Sequence, residues 1–192
     1  MVANPRRRTH VTDAALTLLG SEGGRALTHR AVDRAAGVPT GTCANYFPTR
    51  PDLLLAMAQR IFERLTPEEG RLATLAEVPV ADAPAEYVGY VVERLLADPD
   101  LARALVELRL AASRSPEIFE VLAPVLRDGL DADVTFHESR GLAGGRELVL
   151  LLHHLVNGLV LDTVTVPLDP DRAPVTVATE ATRRLTGPDQ SR

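Results

Sequence analysis

The sequence predicts an all-α protein of about nine helices, and three observations carry that prediction. Apolar residues recur every three to four positions along almost the whole chain, the spacing of one helical face. Alternating runs of strand length are nearly absent, and the best candidate, 162–166, is short and ends a helical stretch. Aromatic residues are only 4% of the 192 and there is no Trp, so the core must come from Leu, Val and Ala, as in tightly packed bundles.

In chain order, Val11, Ala14, Ala15, Leu18 and Leu19 mark a first helix, closed by Gly20 and Gly23-Gly24. Thr28 is placed to cap a short second helix with Ala31, Val32, Ala35 and Ala36 on its inner face and Leu27 stapling onto Val32. Gly37 supplies the left-handed residue that ends it, and a third helix is expected from about Thr40 to Phe47. Leu54, Met57, Ala58, Ile61, Phe62 and Leu65 stripe a long helix from about Arg50 to Leu65, with Thr49 and Asp52 as its capping box. Glu68 and Glu69 after Thr66-Pro67 read as another helix start, where acids suit the dipole.

Val88, Val91, Val92, Leu95 and Leu96 give the next stripe. Asp98-Pro99 then opens a helix carrying Leu101, Leu105, Leu108 and Ala112, and Ser115-Pro116-Glu117 opens one carrying Ile118, Val121, Leu122 and Val125. The stretch from Glu147 to Val166 is apolar around most of its circumference and must be covered on several sides. A last helix is expected from about Arg172 to Leu185.

Charge divides the chain. All 21 basic residues are Arg, against 26 acids, for a net charge of −5. Residues 1–50 hold seven Arg and three acids (7 − 3 = +4), and residues 51–192 hold 14 Arg and 23 acids (14 − 23 = −9). Such asymmetry points to a polyanion partner for the basic part. One Cys excludes a disulfide framework and a multi-cysteine zinc site. No uninterrupted apolar run reaches the ~18 residues of a membrane span, so a cytoplasmic protein with no membrane partner is expected.

The basic part also carries the motif. Two short helices joined by a tight Gly-containing turn are a helix-turn-helix, whose second helix enters the DNA major groove. On that helix Gly41 lets backbone approach phosphate, Thr40, Thr42 and Asn45 offer hydroxyl and amide groups to base edges or phosphates, Tyr46 offers a phenol, and Arg50 suits a phosphate contact.

These residues resemble the N-terminal DNA-binding domain of the TetR family of bacterial transcriptional regulators. The matching features are Ala14-Ala15 with Leu18-Leu19 before Glu22-Gly23, then Leu27-Thr28, Ala35-Ala36-Gly37-Val38, Gly41-Thr42, Asn45-Tyr46-Phe47, Arg50 and Leu53-Leu54. The resemblance implies a three-helix DNA-binding domain (1–48) joined through the 50–65 helix to a helical-bundle effector and dimerisation domain (49–192). It implies a homodimer on a palindromic double-stranded operator, acting as a repressor released by a small molecule. The DNA-contacting set it implies is Arg7, Arg8, Thr28, His29, Arg30, Pro39, Thr40, Gly41, Thr42, Asn45, Tyr46 and Arg50. Three positions depart from the family pattern. Pro39 replaces a frequent capping Ser, leaving the cap to Thr40 or water; Ala44 stands where a phosphate-contacting Tyr is common; and Pro51 replaces a frequent Glu. The first two motivate an alternative, a small-molecule-binding helical protein whose DNA-binding head is vestigial.

In the acidic part, polar, aromatic or sulfur-bearing residues within aliphatic helical faces are the candidate effector pocket: Met57, Phe62, Tyr87, Arg109, Phe119, His153 and Asn157, with His154 beside them. Their mostly apolar neighbours suggest a small apolar or amphipathic effector. By the resemblance, the two helices that carry Leu148, Leu152, Leu155 and Leu159 and Val175, Ala178 and Thr182 pair with their copies in a four-helix dimer interface. No catalytic residues, metal or cofactor are expected. His153 and His154 point ~100° apart on a helix, Asp133 and His137 are a lone pair, and no His is evidently placed to activate Cys43.

Overall fold

The computed structural model describes residues 4–187; the outermost ends of the two expected domains, 1–3 and 188–192, lie outside the described residues. Ten helices and no strand occur among them. They pack as two compact units, 4–65 with 98–127 and 66–97 with 128–187. Packing therefore divides the chain differently from charge, because residues 98–127 join the N-terminal helices rather than the acidic remainder.

In the first unit, α1 (Pro5–Glu22) starts at Asn4, whose side chain accepts from the Arg7 amide, and stops at Gly23, φ 78°. Helix α2 (His29–Ala35) begins where the Thr28 hydroxyl accepts from the Ala31 amide. Helix α3 (Thr42–Tyr46) is shorter than expected at five residues, and α4 (Arg50–Arg64) opens on the expected Thr49–Asp52 capping box. Helix α7 (Pro99–Ala112) is capped by Asp98, which accepts from the amides of Asp100 and Leu101.

Val11, Leu16, Val32, Cys43, Phe47, Met57, Ile61 and Leu108 are the fully enclosed centre of this unit. Helices α1 and α7 can pack closely because Gly20 lies against the Asp100 backbone, where a Cβ would collide with the Asp100 carbonyl. Arg60 on α4 grips Asp13 on α1 with two bonds, 2.8 Å and 3.1 Å, and Arg64 reaches Asp98 at 2.6 Å.

The second unit contains α5 (Glu69–Ala76), α6 (Ala83–Leu96), the C-terminal part of α8 (Pro116–Ser139), α9 (Gly145–Val164) and α10 (Pro174–Thr186). Helix α6 packs on α9 and α10. Its approach to α10 runs over Gly89, where a Cβ would lie 2.8 Å from Thr179 Cγ2. The end of α8 is tied down by His137, whose Nε2–H donates to the Ala143 carbonyl at 2.9 Å. By length and composition α9 could cross a membrane, yet Val149, Leu152, Val156 and Val160 bury one flank of it inside the unit.

Candidate nucleic-acid interface

The α2–turn–α3 segment folds as a helix-turn-helix around a buried carboxylate. The turn needs Gly37 (φ +63°), and α3 begins at Gly41 (φ +92°), a left-handed residue with no side chain to cap with. The cap comes from the preceding helix instead. Asp33 on α2, only 2% exposed, accepts from the Gly41 amide through Oδ2 and from the Cys43 amide through Oδ1, each at 2.7 Å. Thr40 is exposed and does not serve as that cap, which corrects the sequence expectation. The same burial, with Asp33's negative charge close by, pushes the Cys43 thiol up to about 11. Such a thiol is almost wholly protonated at neutral pH, and so poorly nucleophilic.

This geometry sorts the expected DNA-contacting residues into two groups. Pro39, Thr40 and Asn45 are exposed on the turn and α3, with Gly41 and Thr42 half-buried at the helix start and the Thr42 hydroxyl donating to the Pro39 carbonyl at 2.6 Å. Arg7 and Arg30 are exposed and have no ion pair among the described residues. The others are engaged within the unit. Thr28 caps α2, and His29 donates to the Phe47 carbonyl at 2.8 Å. The Arg8 guanidinium sits 5.0 Å from the Phe47 ring centre, and Tyr46 is half-buried against the core. Arg50 donates to the carbonyls of Leu27 (2.8 Å) and Gly24 (3.3 Å), so it braces the loop before α2 rather than standing free.

Sequence reasoning missed Asp33 and His10, which donates from Nε2 to the Ala36 carbonyl at 2.7 Å. It also placed Ala35 on the inner face, whereas Ala35 is exposed and Asp33 takes the buried position between Val32 and Ala36. The spacing 32, 33, 36 was the available signal, since it makes Asp33 an inward residue of a helix.

Elsewhere the candidates scatter. Of the suggested pocket residues, Met57, Phe62, Arg109 and Phe119 fall in the first unit and Tyr87, His153 and Asn157 in the second. Met57 is sealed in the core, Arg109 and Phe119 are exposed, and Arg127 lies over the Phe119 ring. His153 pairs with Asp133 at 2.9 Å, which takes Asp133 away from His137.

The suggested dimer stripe is corrected in part. Leu152, Ala178 and Thr182 are buried within the second unit and have no surface to offer, while Leu148, Leu155 and Leu159 are half-buried and Val175 is exposed. The outward apolar residues of α9 are Leu150, Leu151 and Leu161, on the side of exposed Gly158. Because every side of α9 carries leucine, periodicity alone does not say which leucines face outward.

Comparison with known proteins decides the family. Residues 79–188 match the family model described as Tetracyclin repressor-like, C-terminal domain. The chain belongs to the TetR family. The transcriptional repressor LfrR of Mycolicibacterium smegmatis is 33% identical over 134 residues, 60% of this chain and 70% of that protein. The repressor KstR of the same organism is 35% identical over 77 residues, 40% of this chain, and the match spans only 38% of KstR's own length. A solved structure of the multidrug binding protein EbrR with imidazole superposes with a TM-score of 0.66 at 26% identity, covering 95% of this chain and 96% of that one. LfrR and KstR are both described as transcriptional repressors.

Proposed function

We propose that this TetR-family chain is a homodimeric, sequence-specific repressor that binds double-stranded DNA through α3 and leaves its operator when a small molecule binds the second unit. The observation that carries the reading is the α3 mount. A buried carboxylate aims a five-residue helix that exposes Asn45, with Thr40 exposed just before it and the unpaired cations Arg7 and Arg30 on α1 and α2. At ~1.5 Å per residue such a helix is ~8 Å long, so a groove meets mainly its N-terminal end.

A second copy paired across the outward face of α9, through Leu150, Leu151 and Leu161, supplies the two-fold symmetry that a palindromic operator requires. Residues 1–48 act as the reading head, and the acidic remainder keeps the duplex on the side of the basic helices. A chromosomal operator places the protein in the cytoplasm. The relatives' description as repressors, and EbrR's as a multidrug binding protein, support the regulatory and ligand-binding parts.

Selection of bound genomic fragments with the purified protein tests this. A palindrome should emerge, with affinity falling steeply as salt rises because arginine–phosphate contacts release counterions. Asn45→Ala should lose the enriched sequence while keeping the fold. Recovery of fragments without a common palindrome, or an unaltered one with Asn45→Ala, overturns the reading.

A further inference from the structure

The second unit holds two buried hydrogen-bond donors that no described residue satisfies. One is the phenol of Tyr87 on α6, and the other is Nε of Arg140, the first residue after α8. They are linked through Phe136. The Tyr87 ring stands edge-on to Phe136, with centres 5.0 Å apart and planes at 90°. Arg140 lies one helical turn beyond Phe136, its amide bonded to the Phe136 carbonyl at 3.2 Å. Residues four apart share a helix face, which puts Arg140 on the same flank as the aromatic pair.

The chemistry left open here is specific. The guanidinium is anchored at one end, where Nη2 donates to the Ala76 carbonyl at 2.7 Å, and it has no ion pair among the described residues. Its Nε–H can only donate, and its charge is permanent. The phenol O–H is also a donor. Native proteins rarely leave such groups buried and unpaired. Both ask for an oxygen acceptor, the uncompensated positive charge asks for an anionic one, and the rings of Tyr87 and Phe136 ask for an apolar body.

We propose that Tyr87 Oη and Arg140 Nε, joined across Phe136, form the polar end of a small-molecule site that takes an organic acid with an apolar body. This deepens the effector reading above and rests on it for its regulatory meaning. The unpaired Arg140 guanidinium disfavours amphiphilic cations at this place.

Isothermal titration of the full chain, without DNA, compares octanoate, 1-octanol and octylamine at equal concentration. Octanoate should bind about tenfold more tightly than octanol, and octylamine should not bind at this site. Tyr87→Phe keeps the ring and should weaken octanoate about fivefold to tenfold, with a melting temperature equal to or above that of the parent chain. Arg140→Gln should erase the preference for acid over alcohol. Equal binding of the three probes, no octanoate binding, or unchanged octanoate affinity in Tyr87→Phe overturns the site. So does a lower melting temperature in Tyr87→Phe, because the hydroxyl would then be paired in the folded protein. A separate operator-release assay keeps the two readings apart. Octanoate bound through Tyr87 and Arg140 without release refutes only effector control, and release by other molecules with no octanoate binding refutes only this site.

Discussion

The two units solve opposite problems with the same kind of helix. Among the described residues, the first unit exposes only two large hydrophobic side chains, Leu110 and Phe119, and of the largest fully enclosed side chains all but Val92 and Thr182 fall in it. Its helices are also tied by named polar bonds, from Asp33, His10, His29, Arg50 and Arg60. The second unit leaves Val80, Val91, Leu150, Leu151, Leu161, Val166, Leu168 and others in the open, and keeps two unpaired donors inside. A unit that must present a short helix at a fixed angle uses its polar groups on itself. A unit that must accept partners keeps apolar surface and hydrogen-bonding capacity in reserve.

The sharpest way to break that contrast is to remove the carboxylate under α3. Asp33→Ala strands the amides of Gly41 and Cys43 in a buried place, and each unpaired donor costs ~1–3 kcal/mol. We expect a loss of about 2–4 kcal/mol in chemical denaturation. Operator affinity should fall at least a hundredfold by fluorescence anisotropy, because the reading helix loses its mount. Asn45→Ala, on the exposed side, should lose affinity with denaturation unchanged. Equal stability of the two variants would show that the Asp33 bonds do not hold α3.

Cys43 reports on the same place. With its thiol at about 11, roughly one molecule in a thousand is thiolate at pH 8, so native Cys43 should react with iodoacetamide hundreds of times more slowly than an unfolded chain. Asp33→Asn removes the charge that helps raise it and should speed labelling. An ordinary labelling rate in the native parent protein would contradict the enclosed thiol.

On the other side of the contrast, two neighbouring leucines of α9 should behave differently. Leu152 faces inward, and Leu152→Ala should cost about 2–4 kcal/mol of stability as buried methyl groups are lost and a cavity remains. Leu151 is 46% exposed, so Leu151→Gln should leave the denaturation midpoint within about 0.5 kcal/mol. Its effect should appear in sedimentation, as a shift from dimer to monomer. Dimers of undiminished stability in a variant changed at Leu150, Leu151 and Leu161 together would rule out this face as the interface.

How far each of these sites was legible follows from what periodicity can encode. The all-helical architecture, the caps at Thr28, Thr49 and Asp98, the Gly37 turn and the outward Thr40 and Asn45 were readable, since local spacing and cap chemistry determine them. Asp33 was not read, because its partners lie eight and ten residues away across a turn, and only the folded turn brings them to 2.7 Å. The outward face of α9 was not legible for the reverse reason. Leucine on every side gives a periodic pattern no direction, and only packing on α6 and α10 chooses one. The bonds from Arg50 to nearby carbonyls and the stacking of Arg8 on Phe47 were not legible either, since their partners lie far along the chain.

The smallest expected effect concerns acid. Burial of Asp98 by itself would raise its carboxyl, but bonds from the Leu101 amide, the Arg64 guanidinium and the Asp100 amide outweigh it and hold the group below its ordinary 3.8. A carboxyl depressed in the folded state stabilises the fold in full above the unfolded value. That contribution is lost as pH falls from there through the folded value, so the window opens just below pH 4. The pair is more than a third exposed on the Asp98 side, so solvent screening limits the effect to about 0.5 kcal/mol. Asp98→Asn keeps a good helix cap while discharging the pair. Its stability should fall short of the parent's by that amount at pH 7, and the gap should narrow as pH falls below about 4, by urea denaturation at each pH. A gap that does not narrow would mean that the charge of Asp98, toward Arg64 and the capping amides alike, adds nothing to the first unit.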